Sequence, residues 1–383
     1  RRLTRPVGAQ LPLLAVLLAV ALAAFAATIQ GSIARVQADA AWQQVGADYR
    51  LDLPVGAGAV LPALDLAGGG ATAIAPSATI ATNARVTILA LDVASYARVA
   101  AGTPAEPRFP AALLAPSSPT DLGERGNPIP AIVSANWPLG GSPQPGAAFS
   151  LDLSGEELHF VAREVRDSFP GLPAGTPFVV APLDDVRAAI DIRRFAASTA
   201  YFVRAPAGRA GALDAAARAQ GAAGVVVDRG VVYDAARDAP LVTGVTTGFR
   251  WSLALTTLLA ALAVAAIAEA VARERARERA SLRLLGLRER QATALAILEL
   301  LPPIAVAGIA GGALGIAMSR LLGPAIDLSV FTAPGLPVAL QPEWGLVALL
   351  ACAVIGAALV AALLVGALVG RLSPGELLRE GNR

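Results

Sequence analysis

The sequence predicts an integral membrane protein with four transmembrane α-helices and a large α+β extracytoplasmic domain inserted between the first and the second. Three observations predict it. Hydrophobic residues make up 55% of the 383-residue chain and charged residues only 16%, and the mean hydropathy of +0.59 is high for a soluble globular protein. The apolar surplus is gathered into four long runs separated by polar or irregular sequence. Finally, the basic residues concentrate beside those runs at one face, as the positive-inside rule requires of the cytosolic side.

Taken in order, residues 1–30 form a cytosolic start and the first membrane helix. Arg1, Arg2 and Arg5 precede the continuous apolar run Leu11 to Ile29, which at ~1.5 Å per residue crosses a ~30 Å hydrocarbon core. Ala24-Phe25-Ala26-Ala27 resembles a small-residue cleavage site, but the run is read as a retained helix. Residues 31–250 are the outside domain, roughly 220 residues and ample for one or two lobes. After Gly31 the sequence SIARVQADAAWQQVGADY has helical spacing without a breaker and prolongs the first helix outward as a stalk. Strands are predicted at Arg85 to Asp92, Ile129 to Ser134, Phe149 to Leu153, Leu158 to Val165, Phe178 to Ala181, Thr199 to Val203 and Gly224 to Val227. Short helices are predicted at Leu183 to Ile190 and Gly211 to Gly221. Ala101 to Pro145 is rich in Pro, Gly and Ser and reads as loop or lobe boundary.

The second membrane helix is 251–272, with Trp251 at its outer end. Residues 273–290 are a charged cytosolic helix, and 291–321 the third span. Residues 322–344 are an outside loop carrying Asp327 and Glu343 but no Arg. The fourth span is 345–370, with Trp344 at its outer end, and 371–383 a cytosolic tail. Trp251 and Trp344 fall at the same face, as an interfacial aromatic belt requires. Both termini are therefore expected in the cytosol.

Composition excludes several chemistries. There is no lysine, so neither a P-loop, a Schiff base nor a Ser-x-x-Lys nucleophile pair is available. One Cys and one His exclude an internal disulfide and an ordinary Cys/His zinc site. Cys352 reads as a small packing residue and His159 as a structural one. A net charge of +2 gives nucleic-acid binding no support.

The segment Val271 to Arg290 carries the main candidate site. Arg273, Arg275, Arg277, Arg279, Arg283, Arg288 and Arg290 outnumber Glu274, Glu278 and Glu289. Leu282, Leu284, Leu285 and Leu287 form one apolar face of a short amphipathic helix, suited either to a groove on a protein partner or to a lipid surface. In the third span, Gly308/Gly312 and Gly311/Gly315 are overlapping small-residue pairs that let helices approach closely. Pro302 and Pro303 are expected to kink that span. Glu299, the membrane-entry acid, is either functional or an interfacial partner of the Arg cluster, and Glu269 reads the same way.

The sequence from Arg279 through Gly315, RASLRLLGLRERQATALAILELLPPIAVAGIAGGALG, resembles the core of the FtsX-like permease family, which includes MacB-type and lipoprotein-releasing ABC transporter membrane subunits. The family's motifs fall on Leu282-Arg283-Leu284-Leu285-Gly286, Arg290-Gln291, Glu299 and Gly308 to Gly315. Leu372-Ser373-Pro374-Gly375-Glu376-Leu377-Leu378-Arg379 resembles its closing motif. The resemblance implies a dimeric ABC ATPase partner that binds the ATP and Mg, since this chain binds no cofactor. It implies a docking element at Arg279, Leu282, Arg283, Leu284, Leu285, Gly286, Leu287 and Arg288. It also implies a second permease half or subunit, in a bacterial cytoplasmic membrane. An extracytoplasmic accessory protein or lipoprotein is a further expected partner. The absence of an initial Met and the RRLTRP opening suggest the second half of a duplicated permease.

The function expected is mechanotransmission: ATP-driven motion of a separate ATPase is passed to the outside domain. It would serve export or extraction of a lipid, lipoprotein, peptide or drug, or control of a cell-wall hydrolase. The chain itself is not expected to be an enzyme. The alternative is a receptor relaying an outside ligand signal to a non-ATPase partner. An anchored enzyme using Asp184 and Asp185, or Glu156 and Glu157, lacks any His or Lys beside those acids.

Overall fold

A computed structural model describes residues 10–54, 64–115, 120–138, 141–153, 155–192, 195, 197–274, 289–322 and 344–370. The chain divides into a helical unit, which takes Arg1–Arg35, Pro240–Leu328 and Val338–Arg383, and a sheet unit over Val36–Ala239.

In the helical unit, α1 (Gln10–Val45) begins in the unit and passes into the sheet unit at Val36. Among the described residues three helices are long and apolar enough to cross a membrane, with spans at Leu13–Val45, Pro240–Ala266 and Pro302–Leu322. The second belongs to α7 (Pro240–Glu274) and the third to α8 (Glu289–Leu322). A further helix, α9 (Trp344–Gly370), stands where the fourth span is predicted, and Val347–Ala357 is its described apolar part. α8 is continuous through Pro302 and Pro303. α7 starts at Pro240 rather than near Ser252, so the sheet unit ends before residue 250. Its first turns, PLVTGVTTGF, hold too much Thr and Gly to read as a membrane run, yet Pro suits a first helical position. Large aliphatic side chains face outward along these helices, among them Leu18, Leu255, Leu262, Ile309 and Leu349, as lipid contact requires.

Among the described residues the sheet unit forms one nine-stranded mixed sheet of order β5-β6-β4-β7-β3-β2-β8-β1-β9. The strands are β1 (Tyr49–Asp52), β2 (Ala73–Ala81), β3 (Thr87–Leu91), β4 (Ile129–Ser134), β5 (Ala148–Leu153), β6 (Glu156–Arg166), β7 (Phe178–Pro182), β8 (Ala197–Arg204) and β9 (Val225–Asp228). Pairs β3/β7 and β4/β6 are parallel and the rest antiparallel. The central strands are apolar on both faces, and alternation sends their residues to two cores. Ile88, Ala90, Ala131, Val133, Val179 and Ala181 join one, covered by Leu183 and Val186 of α4 (Leu183–Ala189). Leu89, Leu91, Ile132, Phe178 and Val180 join the other, covered by Val93, Tyr96 and Val99 of α2 (Val93–Ala100) and Leu113 of α3 (Ala111–Leu114). A third core lies under α5 (Ala210–Ala219), where Leu213 and Ala217 pack on Tyr49, Leu51, Tyr201 and Val203. α6 (Arg229–Arg237) closes the unit and the chain runs from it into α7.

Several elements are additions to the sequence prediction: β1, β2, α2, α3 and α6. Asp184 and Asp185 lie in the first turn of α4, on a helix as the predicted Leu183 to Ile190 segment has it.

Candidate functional site

The helical unit packs tightly around α1. Val16, Ala19, Val20 and Ala23 of α1 meet Ala260 and Val264 of α7, Ile304 and Ala307 of α8, and Val354 of α9. Small residues set the spacing. A methyl group on Gly311 would overlap the Leu17 carbonyl oxygen and sit 3.1 Å from Val20 Cβ. One on Gly315 would overlap the Ala21 carbonyl oxygen and meet Ala24 Cβ at 2.8 Å. These two glycines therefore bring the backbones of α1 and α8 together. Gly308 does the same service elsewhere, since a methyl there would come 2.7 Å from Ile355 Cδ1 on α9. Gly312 faces open space. Of the four glycines predicted as packing residues, three line helix contacts and one does not. Two buried hydroxyls near this seam are satisfied within their own helices: Thr28 donates to the Ala24 carbonyl at 2.8 Å and Ser319 to the Gly315 carbonyl at 2.9 Å.

In the sheet unit the C-terminal end of α1 is fastened through its last carbonyls. A helix ends with carbonyls that have no partner within it. Here Gly46 N–H donates to the Trp42 carbonyl at 2.7 Å, Gly171 N–H to that of Gln43 at 2.7 Å, and the Arg50 guanidinium to that of Gln44 at 2.8 Å. Arg50 is itself held in a two-pronged pair with Asp52, at 2.8 and 3.0 Å, and reaches the Gly171 carbonyl at 3.2 Å. Tyr96 Oη donates to the Gly46 carbonyl at 2.7 Å from inside the core. Gly46 leaves the helix at φ +80, the left-handed conformation that glycine adopts freely. It also makes room for Phe202, whose Cε1 would lie 2.7 Å from a Cβ there. Burial raises the Tyr96 pKa far above its ordinary value, so the phenol stays a donor.

The membrane helices match a known family. Residues 252–374 match the family model described as FtsX-like permease C-terminal. The matched region is similar to an FtsX-like permease C-terminal domain. It starts within α7 and includes α8 and α9, leaving α1 and the sheet unit outside the match. No curated protein matches the chain. A permease domain of this kind implies a membrane permease component of an ABC-type transporter, a class that generally works with an ABC ATPase and partner subunits. Together with the three long apolar helices, the match points to a membrane protein.

Within the permease domain, Gly308, Gly311, Gly312 and Gly315 lie on α8 as described above. Glu299 also falls on α8. Arg279, Leu282, Arg283, Leu284, Leu285, Gly286, Leu287 and Arg288 lie outside the described residues. Cys352 is exposed on α9 and does not pack inside the unit, contrary to its reading as a packing residue. In the sheet unit, Glu156 and Glu157 are exposed on the edge hairpin β5–β6, and His159 pairs opposite Ser150 there. Among the described residues no group of His, Cys, Asp and Glu could hold a metal ion. Sequence reasoning missed Arg50, Tyr96 and Gly171 as stalk anchors. The helix stops at Val45, short of the Tyr49 end of the segment read as helical, because Gly46 turns out of it in the left-handed conformation.

Proposed function

We propose that this chain is a permease subunit of an ABC transporter that works by mechanotransmission. A separate ATPase dimer binds and hydrolyses ATP with Mg, and the chain carries that motion to its sheet unit outside the membrane. The observation that carries this reading is α1. Its 36 residues reach about 54 Å, well beyond a ~30 Å hydrocarbon core, and its far end is tied to the sheet unit through Tyr96, Arg50 and Gly171. Such a rod passes displacement along its axis instead of absorbing it in a loop. The close α1–α8 seam at Gly311 and Gly315 joins the rod to the permease domain.

In this reading the chain has four spans, with α9 the fourth, and both termini face the cytosol of a bacterial cytoplasmic membrane. The Arg-rich segment from Arg279 to Arg288 docks on the ATPase through Leu282, Leu284, Leu285 and Leu287. Lacking lysine, the chain has no P-loop of its own, so hydrolysis belongs to the partner. A second permease half completes the complex. The cargo is a lipid, lipoprotein, peptide or hydrophobic compound, or the outside domain controls a cell-wall hydrolase.

The test is a mild-detergent purification of the intact protein with ATPase activity assayed, before and after Leu284→Asp and Leu285→Asp. An ATPase that co-purifies with the wild type and is lost or uncoupled in the variants supports the reading. Absence of any ATPase, with the variants altering only membrane association, overturns it in favour of a receptor.

A further inference from the structure

The stalk has a second attachment, and it runs to the element that leads into α7. Arg229, the first residue of α6, lays its guanidinium over the Trp42 ring at 4.1 Å from the centroid. Its Nη2 lies 3.7 Å from Asp48 Oδ1, and its backbone N–H donates to the Asp48 carbonyl at 3.1 Å. One helical turn and more back along α1, Gln37 Nε2 donates to the Ala236 carbonyl at 3.1 Å, near the other end of α6. The two contacts thus hold α6 alongside the stalk at both of its ends.

These contacts matter because α6 has little else. None of its residues is buried, and Val231 is 65% exposed. A helix of nine residues with no buried apolar face is not held by a core. Asp228 caps its start by accepting from Gly230 N–H at 2.7 Å, which forms the helix but does not fasten it to anything.

We propose that Arg229 is a positioning residue: with Trp42, Asp48 and Gln37 it latches α6 to the α1 stalk, so that the chain's way out to the sheet unit and its way back into α7 move together. This rests on the mechanotransmission reading for its purpose, but the latch itself can be tested without it. A rod attached at one helix delivers only push and pull; two coupled helices also deliver rotation.

Amide hydrogen exchange on the full chain in lipid nanodiscs, for wild type, Arg229→Met, Arg229→Lys, Trp42→Leu and the Trp42→Leu/Arg229→Met double variant, decides the matter. Arg229→Met and Trp42→Leu should each speed exchange across 229–237 by roughly fivefold to tenfold while β4 and β7 stay protected. The double variant should add little to either single change, and Arg229→Lys should keep part of the protection. Unchanged α6 exchange, strictly additive changes, or equal loss of protection in β4 and β7 would each overturn the latch. Where an ATPase co-purifies, a nucleotide-dependent change in α6 exchange should disappear in Arg229→Met while ATP turnover continues; a change that persists overturns the coupling. Failure to recover an ATPase counts against the permease reading and leaves the exchange test of the latch standing.

Discussion

At the residue scale, the anchoring phenol of Tyr96 makes a prediction about pH. Burial raises the pKa of Tyr96, and that of Tyr201 to about 12 even though Arg187 pulls the latter down. Each folded-state pKa lies above the ordinary phenol value, so the folded state disfavours the phenolate. Stability linked to these groups is therefore fully present below pH ~10 and lost as pH rises toward the folded values. Near-UV circular dichroism of the full chain should show the sheet unit losing stability above about pH 10. Tyr96→Phe should make that decline shallower. At neutral pH the same change strands the Gly46 carbonyl inside the core and should cost about 1–3 kcal/mol. A variant with wild-type neutral stability and an unchanged alkaline slope would show that this phenol is not a working anchor.

At the scale of elements, the four glycines of α8 separate by the space they face. Gly311→Val and Gly315→Val should push α1 and α8 apart and cost about 1–3 kcal/mol, because the obstacles are backbone carbonyls that cannot rotate away. Gly312→Ala meets nothing and should be neutral or gain up to about 1 kcal/mol from helix propensity. Thermal inactivation in detergent, compared across the three, checks the order; equal effects would mean that the seam does not form. The repeat of small residues was legible in the sequence, but which of its members face a neighbour was not, since that depends on the rotation of α8. The strands follow the same logic. β4 and β7 announced themselves as unbroken apolar runs because they are buried on both faces. β2 did not: its Ala-rich sequence contains Pro76, which pairs with Tyr201 of β8 where β3 pairing has yet to begin at Ser77. β1 is only YRLD, too short to show alternation, and α6 is nine residues long with none of them buried. The stalk's anchors, Arg50 and Tyr96, are set by tertiary contacts that leave no spacing signal.

At the scale of the whole molecule, the proposed function turns on α1 being an unbroken helix from the membrane region to the sheet unit. The residues on either side of Arg35 and Val36, where the two units divide, contain no Gly or Pro between Ser32 and Val45. A flexible Gly-Ser insert between Arg35 and Val36 should leave each unit folded, because their cores are separate, and should leave the docking segment untouched. A seven-residue Ala-rich insert at the same place adds about two helical turns and nearly preserves rotational phase. If α1 carries work, the flexible insert abolishes the ATP-driven change in the sheet unit while the partner ATPase still turns over, and the helical insert retains a substantial part of it. Spin-label distances within the sheet unit's surroundings, read with and without ATP in the reconstituted complex, distinguish the two. Equal transmission through both inserts would mean that motion reaches the sheet unit by another route, with α7 and its α6 connection the element left to carry it.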